Sequence, residues 1–367
     1  MKSNYKQLGQ FIRQVDVRNT EGKEENLLGV SVQKKFMPSI ANTVGTDFTK
    51  YKVVKKGQFT YIPDTSRRGD KIGIALLEDY EEGLVSNVYT VFEVIDEKQL
   101  IPQYLMLWFS RPEFDRYSRF KSHGSVREIM DWEEMCKVEL PIPPYEKQLQ
   151  IVESYKAITE RIALKKQIND NLEATARAIY KKMFIEDVDL ASLPNDWQIT
   201  ELGSVAELSA GGDRPTVYND FQTDICQVPI FSNGIDKEGL YGYTDKAKIF
   251  DESVTVSARG TVGYVFLRDE PYVPIVRLIS VIPNTKYVTA KYLYFALADI
   301  DLQSTGTSQQ QITVPDFKKR LITVPNRASM CRFTEHIEPL FKTMKQNKAE
   351  ILSLMALQTN YLALLSR

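Results

Sequence analysis

Residues 151–183 read IVESYKAITERIALKKQINDNLEATARAIYKKM. Within them Ile151, Tyr155, Ile158, Ile162, Lys165, Asn169, Leu172, Ala176, Ile179 and Met183 follow one another in alternating steps of four and three. That 3.5-residue period is the seam of a helix that pairs with another helix, with Lys165 and Asn169 as polar interruptions. Residues 333–365, FTEHIEPLFKTMKQNKAEILSLMALQTNYLALL, carry the same seam displaced by 182 positions. Its members are Phe333, Ile337, Leu340, Met344, Asn347, Ile351, Leu354, Gln358, Tyr361 and Leu365. A seam held in register at one offset predicts two long matched helices in one chain, packed on each other. Lys165, Asn169, Asn347 and Gln358 are the seam positions able to set register within that pair.

The repetition reaches beyond the helices. Leu8-Gly9 matches Leu202-Gly203, and Val54, Phe59 and Tyr61 match Ile249, Val254 and Val256. Further on, Val85, Val88, Val91 and Val94 match Val273, Val276, Ile279 and Ile282, and Tyr104-Leu105 matches Tyr292-Leu293. Gly124, Leu140, Ile142 and Pro143 match Gly306, Ile322, Val324 and Pro325. After a one-residue rise the offset only falls along the series, as expected where loops were lost from a common scaffold. Each half is a globular region followed by a long helix. Ile72 to Leu77, Val85 to Val94, Val254 to Phe266 and Val276 to Ile282 are β-branched and read as strands. Gln103 to Phe109 and Lys291 to Leu297 read as short buried helices. The prolines at 143, 144 and 325 stand where helix starts tolerate them, with Glu146 in the first turn of the first helix.

The expected fold is therefore α+β and multidomain, with an internal pseudo-two-fold repeat. Two mixed α/β domains (1–142 and 198–324) alternate with two long helices (143–184 and 325–367), with a linker at 185–197. The helices pair as an antiparallel intramolecular coiled coil, which would carry the globules to opposite ends of a rod about 50 Å long.

Composition narrows the function. A length of 367 residues implies more than one core, and a net charge of −1 gives no global attraction to nucleic acid or an anionic membrane. Cys136, Cys226 and Cys331 are far apart and read as reduced thiols of a cytoplasmic protein. The N-terminus carries no apolar signal region and no stretch is long enough to span a bilayer.

Catalytic motifs are missing. There is no phosphate loop and no dinucleotide fingerprint, and the two histidines, His123 and His336, have no metal-ligand spacing. Ile142-Pro143-Pro144-Tyr145 resembles the Asn/Asp-Pro-Pro-Tyr of amino-methyltransferases, but Ile142 cannot accept a hydrogen bond from a target amine. Pro63-Asp64 with Asp96-Glu97-Lys98 only superficially resembles a nuclease triad. No catalytic residue and no metal ligand is assigned.

Binding features are richer. The first globule offers Lys34, Lys35, Arg67, Arg68, Lys71, Lys121, Ser122 and Arg127; the second offers Arg214, Arg259, Thr261, Arg277, Thr307, Ser308, Gln309 and Gln310. Arg68-Gly69 and Arg259-Gly260 fall at matched turns, where an arginine can reach a phosphate or a guanine edge. The loops 121–127 and 304–311 also match, and the second is rich in the amides and hydroxyls that contact base edges. One scaffold with two different sets of polar tips suits the reading of two different half-sites.

On these residues the chain resembles the specificity subunit of type I restriction–modification systems. The resemblance runs from Leu8-Gly9 through the segment Leu140-Pro-Ile-Pro-Pro-Tyr-Glu-Lys-Gln148 and the long helix, then again from Leu202-Gly203. Ile322-Thr-Val-Pro-Asn-Arg327 departs from the junction pattern and lacks its Glu-Gln pair. The resemblance implies two target recognition domains reading a split sequence on double-stranded DNA, with half-sites about one helical turn apart. It implies partners as well: two methyltransferase subunits and restriction–motor subunits, which would hold S-adenosylmethionine, Mg²⁺ and ATP. The helix pair, through Ile151, Ile158, Ile162, Leu172, Ile179, Ile337, Leu340, Met344, Ile351, Leu354 and Tyr361, would set the gap. A coiled-coil adaptor whose globules bind proteins is the competing reading; salt-dependent protection of DNA in two blocks separates the two.

Overall fold

The computed structural model describes residues 5–40, 45–65, 71–122, 128–189, 192–260, 262–300 and 311–365. The chain divides into two compact units, one made of 1–166 with 348–367 and the other of 167–347.

In the first unit a four-stranded antiparallel sheet runs in the order Ile12–Val15, Thr90–Val94, Phe59–Ile62, Gly73–Leu76. In the second, the sheet order is Ala206–Ala210, Ile279–Pro283, Ser253–Val256, Val265–Arg268. The two orders are the same element for element. Each unit also has a small ladder that closes its globule just before the long helix. Lys6 pairs with Leu140 in one ladder, and Thr200 pairs with Ile322 in the other.

The repeated residues have physical reasons. Leu8 and Leu202 are fully buried, and their N–H groups donate to Val138 O and Arg320 O, both at 2.8 Å. The glycine after each lies against a short helix: a Cβ on Gly9 would meet Cys136 Cβ at 2.8 Å, and one on Gly203 would meet Lys318 Cβ at 3.0 Å. Tyr104 and Tyr292, on the helices Pro102–Phe109 and Ala290–Ala298, donate their hydroxyls to Pro141 O and Thr323 O. The same internal ties thus recur in both halves.

Two long helices, Tyr145–Lys181 and Arg327–Leu364, pair antiparallel within each unit. In the first unit Tyr155 meets Tyr361, Gln358 Nε2 donates to Thr159 Oγ1 at 2.7 Å, and Lys165 and Arg161 both reach Glu350. In the second, Asn347 Nδ2 donates to Asn169 Oδ1 at 2.8 Å, and Tyr180 packs on Phe333. Every seam position is buried or half-buried, including Ile151, Ile158, Ile162, Leu172 and Ile179, and Ile337, Leu340, Met344, Ile351, Leu354 and Tyr361 on the other helix.

Three local features differ from the sequence reading. The seam drifts at its first-helix end: Lys182–Glu186 forms a π-helical turn that inserts an extra residue, so Phe184 rather than Met183 is the fully buried anchor. It packs against Trp197, Tyr292 and Phe333. The stretches Val85 to Val94 and Val254 to Phe266 are each two strands broken by a turn, and the strand expected at Val276 begins only at Ile279. Gln148, read as part of a helix start, is a fully buried tie. Its Oε1 accepts from Ile101 N at 2.9 Å, and its Nε2 donates to Gln99 O and Pro143 O at 2.8 and 2.9 Å. The position displaced by 182 holds Met330, buried and apolar, while Asn326 caps that helix through Ser329 N. Gln148→Met should therefore cost about 2 kcal/mol, since it strands one buried donor and two acceptors. A denaturant titration of the full chain checks this.

Candidate nucleic-acid interface

In each unit backbone hydrogen bonding brings two loop stems together. In the first, Met130 N donates to Pro63 O at 3.0 Å, and Thr65 N donates to Glu128 O at 3.0 Å. Thr65 Oγ1 also donates to Ser122 Oγ at 2.9 Å, and Arg119 pairs with Glu128. The segments 66–70 and 123–127 therefore spring from adjoining points. Arg67, Arg68 and Arg127 themselves lie outside the described residues, as does His123. In the second unit the matching bond is Ile312 N to Ala258 O at 3.0 Å. It sets the stem of the 301–310 segment beside Arg259. Thr261, Thr307, Ser308, Gln309 and Gln310 lie outside the described residues.

The described cations are not all alike. Lys35 and Lys71 are exposed, and Lys121 is half-buried with its ammonium near the rings of Tyr117 and Phe120. Ser122 is occupied at the loop stem, donating to Ser118 O at 2.6 Å. Lys34 departs from the expectation of a free loop cation. Its side chain is 8% exposed, its ammonium sits 2.8 Å from Asp115, and it donates to Phe109 O. Burial pulls that ammonium below the ordinary lysine value against the opposing pull of Asp115. The same carboxylate accepts from Ile72 N, so Lys34 and Asp115 pin the start of the strand that leaves the 66–70 segment.

In the second unit Arg214 is exposed and lies over the Tyr218 ring, 4.7 Å from its centroid. Arg259 and Gly260 occupy the connection between Ser253–Val256 and Val265–Arg268. Gly260 has φ +69° with open space where a Cβ would be. Arg277 sits with Val276 at the tip of a turn closed by Leu278 N donating to Ile275 O at 3.0 Å. Behind these tips Arg268, 3% exposed, lies over the Phe231 ring and donates to Thr255 Oγ1 and Glu238 O. Burial pushes its guanidinium down to about 10. It serves as an internal brace.

Three residues carry features the sequence reading passed over. Phe120, beside Lys121, is 80% exposed, and Val276 is 54% exposed. Asn233 bridges two loops. An isolated apolar residue in a sequence gives no sign that it will face solvent, and an asparagine gives no sign of its distant partners. No group of three or more potential metal ligands occurs among the described residues.

The two units thus repeat one scaffold, each with a matching loop-stem tie. The model for the type I restriction modification DNA specificity domain matches residues 9–174 and again residues 194–353. The chain belongs to that family. The first match opens at Gly9 and the second eight residues before Leu202, and each closes inside a long helix. The chain is 27% identical over 210 residues to a protein of Mycoplasma pneumoniae named as a type I specificity subunit, S.MpnORF507P, the match covering 56% of each. The chain's match thus spans about half the length of that relative. It is 20% identical to the HindI specificity subunit of Haemophilus influenzae over 82% of this chain and 83% of that one. The crystal structure of a type I restriction–modification S subunit from M. genitalium superposes with a TM-score of 0.63 at 13% identity, over 99% of this chain and 96% of that one. That likeness is one of fold. The chain is a type I specificity-domain protein with two target recognition domains and two long packed helices. Among the described residues no helix is long and apolar enough to cross a membrane.

Proposed function

We propose that this chain is the DNA-recognition subunit of a type I restriction–modification complex and reads a bipartite, gapped sequence on double-stranded DNA. Each globule reads one half-site, and the chain directs partner methyltransferase and endonuclease–motor subunits to that sequence. It performs no catalysis itself. S-adenosylmethionine, Mg²⁺ and ATP belong to the partners, of which two are methyltransferase subunits. The observation that carries the reading is the repeated loop-stem tie, Met130 to Pro63 and Ile312 to Ala258, on a repeated scaffold, joined to loop sequences that differ between the two copies. Near-neutral charge fits the same reading, because partner subunits would supply much of the grip on the phosphates.

The chemistry of the tips suits this role. Guanidinium groups on turns can donate to guanine O6 and N7, and hydroxyl and amide groups complete a code of donors and acceptors. Arg259→Ala, assayed in the assembled complex, should weaken binding of the half-site read by the second globule by about 1–3 kcal/mol and leave the other half unaffected. Unchanged affinity and unchanged sequence preference would remove Arg259 from the interface.

A further inference from the structure

Val276 and Arg277 hold backbone conformations that L residues rarely adopt, with φ of 53° and 61°. A β-branched residue in the left-handed region is disfavoured by its own side chain, so something must impose the conformation. The surroundings do so from three sides. Val276 N donates to Gly212 O and Arg277 N to Gly211 O, both at 2.9 Å. Gly211 approaches so closely that a Cβ there would stand 2.6 Å from the Pro274 carbonyl carbon. From the third side, Asn233 Nδ2 donates to Val276 O at 2.6 Å, while its Oδ1 accepts from Ala258 N at 2.7 Å. One side chain therefore locks the 275–278 turn to the loop that carries Arg259.

All this constraint holds two exposed side chains at a tip. Core packing fixes the flanks of the turn, Ile275 and Leu278, each 1% exposed, but not its tip, because Val276 and Arg277 face solvent. An over-determined, strained turn that presents one apolar and one cationic group has the makeup of a reading element.

We infer that the Val276-Arg277 turn is the base-reading element of the second recognition domain, and that Asn233 is its positioning residue. The turn takes a guanine next to a thymine in the major groove: Arg277 donates to guanine O6 and N7, and the Val276 methyls contact the thymine C5-methyl. Asn233 touches no base. It fixes the angle at which the turn and the Arg259 loop enter the groove. The inference rests on the DNA-reading function proposed above.

The test is methylome sequencing of cells that carry the complete system with wild-type chain, Asn233→Ala, Asn233→Asp, Val276→Gly or Arg277→Ala. The wild-type motif should contain a guanine–thymine neighbour pair, on either strand, in the half that changes when residues 198–324 are exchanged. Arg277→Ala should relax the guanine position by about tenfold or more, and Val276→Gly should relax the thymine position. Asn233→Ala should relax both with the first half unchanged. Asn233→Asp keeps an acceptor for Ala258 N but loses the donor to Val276 O, so it should show the same relaxation in a chain that still unfolds cooperatively. The inference is overturned if the second half lacks such a pair, or if folded Asn233 variants keep full discrimination. It is equally overturned if they lower methylation at every site without altering the motif, since a purely structural role would do that. A wild-type methylome with no split motif dependent on this chain would instead overturn the DNA-reading function itself.

Discussion

Replacing Asn169 with leucine should destabilise the full chain by about 2–3 kcal/mol, and replacing Asn347 as well should restore most of that loss. The two amides form a buried polar layer in the seam, 9% and 7% exposed. Asn347 Nδ2 donates to Asn169 Oδ1 at 2.8 Å, and Asn169 Nδ2 reaches Met344 O. A leucine at 169 leaves the Asn347 amide desolvated opposite a hydrocarbon, which is the costly case. Two leucines leave no orphan and bury more apolar surface. The coupling energy of the double-mutant cycle should therefore be favourable to the double variant and of about the same size as the single loss. Additive losses would show that the layer contributes only two independent contacts. A buried amide layer also penalises every other alignment of the helices, so the double variant should regain most of the lost stability while losing its unique register. Glu350, held below the ordinary carboxylate range by Lys165 and then Arg161, adds an exposed ionic support beside this layer. A carboxyl whose folded value is lowered contributes above its unfolded value, and this support is lost as pH falls through the folded one.

The second large effect is expected at Gly211→Ala, with a loss of about 3 kcal/mol and of recognition by the second domain. The three atoms nearest the added methyl are all backbone: Pro274 C, Ile275 N and Pro274 O, at 2.6, 2.7 and 2.8 Å. No side-chain rotation can make room, so the strand must move. The hydrogen bonds from Arg277 N to Gly211 O and from Gly211 N to Leu278 O must lengthen with it. Gly212→Ala is the control. Its methyl would meet only Lys248 Nζ, at 3.7 Å, so it should change stability by less than about 0.5 kcal/mol. Equal effects at the two glycines, read by thermal unfolding, would contradict the close-approach account.

Much of the scaffold was legible because it repeats. The seam through Asn169 and Asn347 needs only a period and an offset, and both are properties of the sequence alone. The Leu-Gly pairs and Tyr104 with Tyr292 were also visible as repeats, although their reasons, a tight helix contact and a carbonyl tether, needed coordinates. Three kinds of feature stayed hidden. Phe184 replaces Met183 as an anchor because a π-turn shifts the period by one residue, and no side chain announces such a turn. Lys34 looked like a surface cation, yet Asp115, far along the chain, draws it inside. Val276 read as strand because β-branched residues favour strands, whereas the turn's tertiary hydrogen bonds, donated to Gly211 O and Gly212 O and accepted from Asn233 Nδ2, override that preference. Local propensity fails where distant partners decide the backbone, as they do at Val276 and Arg277.

The central claim is that each globule reads its own half of a split DNA sequence. Exchanging residues 1–142 for the corresponding region of a relative with a different motif, in cells that supply the partner methyltransferase, tests it most directly. Methylome sequencing should then show one half of the motif replaced and the other half unchanged. Alteration of both halves, or of neither, would contradict the account.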